Sequence, residues 1–281
     1  GSSQCNSVYN PEGIVDYNCN PVNQDGSDSE YFIGNSTNVP LDTWDFDTIW
    51  SDQNGEYPVL QTGDGEPTYE ISNCSELQGM NNDLDGDYEL VDDIDCSATA
   101  NWDEGQGFLP IASGHMEGFT GTLDGNGYTI SNLFINRPDL YYVGLFESLN
   151  GTQVASFNLV NANITGGQVV GGVVAMAYGA GIFDINVSNS TVTSVISYNG
   201  MEAGTGGIAG SLFADGEGMY GMAEDSFQGS VNGGYNVGGL VGIMGYNALF
   251  DSYAQADVTG EAFVGGLVGN AGFDYIVNSY A

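Results

Sequence analysis

Positively charged side chains are almost absent from this 281-residue sequence. Its single Lys+Arg residue is Arg137, its single histidine is His115, and 37 Asp+Glu residues bring the formal net charge to −36. Nucleic acids and anionic lipid headgroups attract proteins through clustered Lys and Arg side chains, so we expect neither as a partner. Repulsion among the carboxylates also favours a saline setting or bound divalent cations, because both weaken that repulsion.

The same shortage of cations narrows the chemistry that the chain could perform. Removal of a proton next to a uronate needs a base and cations that neutralise the substrate carboxylate, and only Arg137 is available. His115 has no Gly-x-Ser-x-Gly motif to partner it. Acid pairs such as Asp184 and Asp225 would suit glycoside hydrolysis, but we expect both to be exposed turn residues. We therefore predict no enzymatic activity, and a polysaccharide-active enzyme is the alternative.

Long apolar runs and helical periodicity are missing as well. No stretch approaches 18 uninterrupted apolar residues, so no membrane-spanning helix is expected. Apolar residues do not recur at helical spacing, and 44 glycines oppose long helices. The chain begins with Gly1 rather than Met, which we interpret as a segment processed or cut from a longer protein.

Four cysteines, Cys5, Cys19, Cys74 and Cys96, form an even set that allows three pairings. They fall into two local groups, so pairing Cys5 with Cys19 and Cys74 with Cys96 closes the shortest loops. Each loop would stabilise the fold by about 3 kcal/mol, because it restrains the unfolded chain. No histidine cluster or Cys-x-x-Cys spacing accompanies them, which argues against zinc. Disulfides would place the protein in an oxidising setting, extracellular or at the cell surface.

Internal repetition dominates the later part of the sequence. Val237-Gly-Gly-Leu-Val-Gly242 recurs one period later as Val264-Gly-Gly-Leu-Val-Gly269. Asp251-Ser-Tyr-Ala254 recurs at the same interval as Asn278-Ser-Tyr-Ala281. Each period thus holds two short strand-like runs separated by turns. Such a unit cannot bury its apolar side alone, whereas stacked units build one continuous core.

The repetition predicts an all-β protein, a right-handed parallel β-helix (β-solenoid) with coils of about 27 residues. Alternating apolar residues, as in Ile182-Phe-Asp-Ile-Asn-Val187, indicate strands. Glycine pairs suit points where neighbouring coils approach closely. Two longer periods between positions 171 and 238 are interpreted as coils with insertions such as Tyr198–Thr205 and Asp215–Met222.

The paired Val-Gly-Gly-Leu-Val-Gly and Asn-Ser-Tyr-Ala motifs resemble the GLUG-motif repeats of bacterial and archaeal surface proteins and filamentous-haemagglutinin-like adhesins. The preceding segments, Tyr88–Asp95 and Phe119–Leu133, are similar to the opening coils of such domains. The resemblance covers residues 69–281. It implies a parallel β-helix at a cell surface and does not imply any particular activity.

Residues 1–62 have a different character. Asp45-Phe-Asp-Thr-Ile-Trp50 and Glu56-Tyr-Pro-Val-Leu60 resemble the segment that closes a GLUG array. Residues 63–68 are interpreted as a linker, and a short capped helix near 74–81 is expected to begin the next domain. The whole chain would then be one unit of a longer tandem protein or of a filament, in which residues 1–62 complete the β-helix of the preceding unit and units associate end to end. Alternatively, residues 1–62 fold back and cap their own chain.

A candidate calcium loop lies next to the first expected strand. Five oxygen-bearing side chains fall at or near its ligand positions: Asn81, Asp83, Asp85, Asp87 and Asp92. Gly86 stands at position 6, where the sharp turn needs glycine, and Asp92 stands at position 12, where Glu is usual. The alternative interpretation is a solvated acidic turn before a strand. Calcium is the one cofactor that the sequence suggests.

Trp44, Phe46, Trp50 and Tyr57 cluster in the array-closing segment. They could stack on a sugar, but their spacing favours an apolar plug over the end of a coil stack. From the sequence we expect a non-enzymatic extracellular repeat unit of a surface fibre or filament. A single-copy adhesin that binds a glycan or a protein is the alternative.

Overall fold

The computed structural model describes residues 50–51, 59–60, 68–197, 203–214, 221–272 and 274–281. The chain divides into two compact units, 1–66 and 67–281, and the boundary falls inside the predicted linker. In the first unit, β1 (Trp50–Ser51) pairs antiparallel with β2 (Val59–Leu60). The predicted Cys5–Cys19 pair and the side chains of the aromatic cluster lie outside the described residues.

The second unit consists almost entirely of strands. Its one described α-helix is α1 (Cys74–Gly79), and its 3₁₀ segments are Met80–Asn82, Ser97–Asn101 and Asp103–Gly105. Its strands are β3 (Thr68–Ile71), β4 (Asp87–Leu90), β5 (Ile94–Asp95), β6 (Thr122–Asp124), β7 (Thr129–Ser131), β8 (Phe134–Arg137), β9 (Tyr142–Val143), β10 (Phe146–Asn150), β11 (Gln153–Val160), β12 (Asn163–Gly166), β13 (Val169–Gly171), β14 (Val174–Tyr178), β15 (Gly181–Ser194), β16 (Thr205–Gly206), β17 (Ala209–Phe213), β18 (Gly221–Ala223), β19 (Ser226–Asn232), β20 (Tyr235–Gly238), β21 (Val241–Gly245), β22 (Ala248–Phe250), β23 (Tyr253–Thr259), β24 (Ala262–Gly265), β25 (Val268–Gly272) and β26 (Tyr275–Val277).

The helix α1 forms where the sequence predicts one near 74–81. The side chain of Asn73 caps it by accepting hydrogen bonds from the backbone N–H groups of Ser75 and Glu76, at 3.1 and 3.0 Å. Such a cap satisfies donors that the first helical turn leaves unpaired. Leu77 is fully buried beneath the helix, and Cys74 forms the predicted disulfide with Cys96.

Every pairing between described strands of this unit is parallel, which confirms the prediction of an all-β protein with parallel strands. From β9 onward the chain visits three sheets in a fixed order. Sheet I contains β9, β13, β16, β20 and β24, sheet II contains β10, β14, β17, β21 and β25, and sheet III contains the remaining strands of the unit. We call one passage through sheets I, II and III a coil.

The register between neighbouring coils follows the sequence repeat. Val237 pairs with Val264 and Leu249 with Ile276, in both cases one sequence period apart. The two longer steps join Val170 to Thr205 and Thr205 to Val237. The predicted insertions reach too far, because Thr205 lies in β16 and Met222 in β18.

The core lies between the sheets and is built from columns of equivalent residues. In sheet III, Val154, Ile182, Met222 and Leu249 stack in register, and each is fully buried. Burial of one such side chain stabilises the fold by about 1.5–3 kcal/mol. A residue that is apolar at one position of the sequence period is therefore apolar again one coil later.

Polar side chains hold the corners between strands. Asn132 and Asn161 have positive φ values, which asparagine tolerates better than most residues. The amide of Asn161 donates to the side-chain oxygen of Asn132 at 2.6 Å, and that of Asn132 donates to Asp95 at 2.9 Å. Polar side chains near these corners therefore link one coil to the next.

Candidate functional site

The last coil of the described structure, residues 262–281, exposes side chains that every earlier coil buries. Val237 is fully buried, whereas its register partner Val264 is 47% exposed. Leu249 is likewise fully buried, whereas its partner Ile276 is 44% exposed. The same inward columns therefore continue into the last coil, but no described residue covers them there. We call this surface the open face.

The backbone of the last coil is also unpaired on its outer side. The strands β24, β25 and β26 are the terminal members of sheets I, II and III, each with one neighbouring strand among the described residues. A terminal strand presents a row of N–H and C=O groups that can pair with another strand. The open face thus combines three strand edges with exposed apolar side chains.

The opposite end of the stack is covered. The strand β3 is the terminal strand of sheet III on that side, and α1 follows it directly. Leu77 and Met80, in and just after the helix, are fully buried, and the 2.01 Å disulfide between Cys74 and Cys96 fixes the helix to the chain that follows β5. The first coil is therefore covered by the helix, whereas the last coil is the one at which the sequence stops.

Charge is scarce on the open face. Residues 262–281 contain one acidic residue, Asp274, in a chain that has 37 acids in 281 residues. The carboxylate of Asp274 accepts hydrogen bonds from the backbone N–H groups of Asn247, at 2.9 Å, and Gly272. Burial nevertheless raises the pKa of Asp274. A second anionic surface is repelled less strongly here than it would be at the acidic surfaces of the same molecule.

An aromatic column continues to the same end. Tyr253 and Tyr280 pair in register with ring centroids 5.4 Å apart and ring planes 10° apart. Tyr280 and Tyr275 are 65% and 68% exposed. Stacked aromatic rings and exposed tyrosines are common where one protein surface meets another.

The predicted calcium ligands are dispersed over several elements. Asn81 uses its side-chain oxygen to accept from the backbone of Ala112 at 2.9 Å, and Asp87 lies in β4, where it accepts from the Thr122 hydroxyl at 2.6 Å. Asp92 is exposed in the bend that follows β4, and its carboxylate accepts from the backbone N–H of Asp93 at 2.8 Å.

The two remaining candidates, Asp83 and Asp85, lie just before Gly86. Asp83 accepts from the Tyr88 hydroxyl through its backbone carbonyl, at 2.7 Å. Burial, with the nearby charge of Asp83, raises the pKa of Tyr88 to about 12. Across the described part of the chain, no group of three His, Cys, Asp or Glu side chains is placed to share one metal ion. The calcium site stays a prediction.

The single histidine lies in an exposed loop between two shallow clefts. Both clefts, of about 410 and 360 Å³, are lined by His115 and Met116, and the first also includes Asp85 and Glu117. The backbone N–H of Gly114 donates to Glu147 at 3.1 Å and positions the loop. No described hydrogen bond joins His115 to a nucleophile, so this loop offers no catalytic pair among the described residues.

Asp184 and Asp225 differ sharply in environment. Asp184 is exposed as predicted, but it lies within β15 and not in a turn. The prediction for Asp225 is wrong, since its side chain is completely buried. One carboxylate oxygen of Asp225 accepts from the backbone N–H of Ile185 at 2.9 Å, whereas the other has no partner. Burial raises the pKa of Asp225 well above its usual range. Sequence reasoning missed this residue because its neighbour in the next coil is Ser252, an ordinary corner residue.

The single cationic side chain is committed to internal contacts. Arg137 is 7% exposed and donates to the carbonyl oxygens of Phe108 and Gly107, at 3.0 and 2.9 Å. It also forms an ion pair with Asp103 at 2.8 Å. No guanidinium or ammonium group is therefore free on the described surface to bind an anionic substrate.

Two known proteins are similar in sequence to part of this chain. No family model matches the chain, so the resemblance to GLUG repeats is not confirmed. A segment of 161 residues, 55% of this chain, is 38% identical to "Halomucin" from Haloquadratum walsbyi and spans 2% of that protein. A segment of 92 residues, 31% of this chain, is 39% identical to "Putative Gly-rich membrane protein" from Evansella cellulosilytica and spans 10% of it.

A solved structure shares the fold. The crystal structure of a "putative immunoglobulin A1 protease" from Bacteroides ovatus superposes with a TM-score of 0.54 over 76% of this chain and 75% of that chain, at 20% identity. At this identity the likeness concerns architecture alone. In the described part of the chain, no helix is long and apolar enough to cross a bilayer.

Proposed function

We propose that this chain is a non-enzymatic, extracellular structural unit that associates end to end through its open face. The unit is a right-handed parallel β-helix, and its occupant at the open face is the array-closing segment, residues 1–62, of a second copy. The observation that supports the proposal is that the inward apolar columns of earlier coils run on into the last coil, as from Val237 to Val264, so that a further coil would fit on it. The three terminal strand edges at the same face support it.

The cap at the opposite end supports a directional assembly. Because α1 covers the first coil, that end of a second copy offers no free coil to stack on the open face. Residues 1–62 contain Asp45–Trp50 and Glu56–Leu60, which resemble the segment that closes such arrays. A heterologous contact of this kind, repeated from copy to copy, generates a filament.

An extracellular or cell-surface location is part of the proposal. The disulfide between Cys74 and Cys96 favours an oxidising compartment. One relative is named a Gly-rich membrane protein and the other halomucin, and both are far longer than the segment that they share with this chain. The acidic composition, with a net charge of −36, supports a saline setting.

Sedimentation equilibrium of the full chain in 2 M NaCl tests the proposal. At this ionic strength, screening shortens the reach of carboxylate repulsion to about 3 Å or less. We expect the average mass to rise with concentration, and Val264→Asp to abolish the rise, because it places a charge in the contact. The matched control is Val195→Asp, since Val195 is 52% exposed on a different coil.

Wild-type protein that stays monomeric at all concentrations would contradict the proposal, as would equal loss of association in both variants. Assays on neutral and acidic polysaccharides complete the test of the non-enzymatic assignment. We expect no turnover, because Arg137 is engaged internally and His115 lacks a partner nucleophile. Specific turnover by the purified chain would overturn that assignment.

A further inference from the structure

We infer that the cleft of about 360 Å³ beside the His115 loop binds a soft monovalent metal ion, Cu(I), with His115, Met116 and Met176 as its ligands. The cleft is formed by the loop and by the strands β9, β10 and β14. These strands belong to the first two coils, so the cleft lies away from the last coil. The inference is therefore independent of the proposed end-to-end association.

Three side chains that line this cleft carry donor atoms that soft metal ions prefer. Met116 and Met176 each offer a thioether sulfur, and His115 offers an imidazole nitrogen. Thioether ligands select Cu(I), and imidazole binds copper as well. The carboxylate of Glu147 lines the same cleft, and its negative charge favours a cation there. The donor set of the cleft thus fits Cu(I).

Backbone contacts on either side of the His–Met pair hold the loop against the strand that forms one wall. The N–H of Gly114 donates to the carboxylate of Glu147, in β10, at 3.1 Å. A Cβ at Gly118 would lie 2.7 Å from the hydroxyl oxygen of Ser148, so the loop packs directly on β10 there. Ser148 pairs in register with Met176 of the next coil. The thioether of Met176 therefore stands on the strand next to the one that holds the loop.

Packing does not account for Met116. Its side chain is fully exposed, whereas Met80, Met222 and Met244 are buried in the core. Burial of a methionine side chain stabilises a fold by about 1.5–3 kcal/mol, and Met116 forgoes that gain. An exposed thioether beside an imidazole is placed to meet an ion that arrives from solution.

The neighbouring cleft, on the other side of the loop, has a different donor set. Asp85 and Glu117 line it, and neither Met176 nor Glu147 does. Carboxylates suit harder ions such as Mg²⁺, Ca²⁺ and Mn²⁺. Glu117 is therefore a matched control, because it lies next to Met116 in the loop but lines the other cleft.

Anaerobic titration of the full chain with Cu(I), against a chromogenic chelator, tests the site in a chloride-free buffer, since chloride itself binds Cu(I). We expect one Cu(I) per chain. Met176→Leu keeps the size of the side chain and removes the sulfur, so it should weaken binding at least tenfold, as should His115→Asn. Glu117→Gln should bind Cu(I) like wild type. Circular dichroism verifies that each variant folds.

X-ray absorption at the copper edge identifies the donor atoms in the wild-type protein, whatever the behaviour of the variants. Sulfur and nitrogen neighbours are expected. Coordination by oxygen alone would overturn the inference, and so would an absence of Cu(I) binding. Equal affinity in wild type and Met176→Leu, or an equal loss in Glu117→Gln, would also overturn it. All four outcomes leave end-to-end association intact, since that is read from the average mass without copper.

Discussion

The guanidinium of Arg137 lies 2.8 Å from the carboxylate of Asp103, and this ion pair joins the single cation of the chain to one of its 37 acids. The pair closes over the backbone of Gly107 and Phe108, whose carbonyl oxygens accept from the same guanidinium. Arg137 thus anchors the irregular segment between β5 and β6 to the sheet through β8.

Arg137→Met should lower the free energy of unfolding by about 2–4 kcal/mol, because it leaves two carbonyl oxygens without a donor. Asp103→Asn should cost less than about 1 kcal/mol, since Asp103 is 57% exposed and solvent screens the pair. Urea denaturation measures both. Equal losses in the two variants would show that the ion pair, and not the carbonyl contacts, carries the effect.

The burial of Asp225 makes stability depend on pH. Its raised pKa means that the folded state keeps the proton above pH 4, where the unfolded chain releases it. The folded state therefore binds more protons, and stability falls as pH rises from about 4 towards the raised pKa. Asp225→Ser, which copies Ser252 of the next coil, should remove this part of the slope and raise stability at pH 7.

The measurement is the difference in unfolding free energy between wild type and Asp225→Ser from pH 3.5 to 8. The difference cancels the contributions of groups that titrate alike in both proteins, such as Asp274. A matched change at the exposed Asp184, Asp184→Ser, should leave the slope almost unaltered. A constant difference across this range would contradict the account of Asp225.

The disulfide between Cys74 and Cys96 spans 22 residues and holds the capping helix. Replacing both cysteines by serine should lower the unfolding free energy by about 3 kcal/mol. Thermal melts with and without a reductant separate this disulfide from any other. Reductant should still lower the melting temperature of the double variant if Cys5 and Cys19 are paired, and should have no effect if they are not.

The predicted calcium loop is tested by melting the protein with and without calcium at constant ionic strength. Calcium at 100 times its dissociation constant would stabilise the fold by about 2.7 kcal/mol, because it binds the folded state alone. Asp92→Asn should remove that gain, and Asp93→Asn, at the adjacent exposed residue, should retain it. An unchanged wild-type melting temperature contradicts the calcium prediction.

The sequence by itself predicted the repeat length and the parallel stacking, and it favoured the Cys74–Cys96 disulfide among three possible pairings. It could do so because each coil packs equivalent residues against its neighbours. The same residue type is therefore required once in every period, as at Val237 and Val264. The position of α1 followed from the capping pattern at Asn73, which acts within a few residues.

Only the tertiary structure decided which polar side chains are buried. The burial of Asp225 and the internal role of Arg137 depend on neighbours that are distant in the sequence. Local sequence does not predict such contacts, because the burial of a side chain depends on residues that folding brings close to it from distant parts of the sequence.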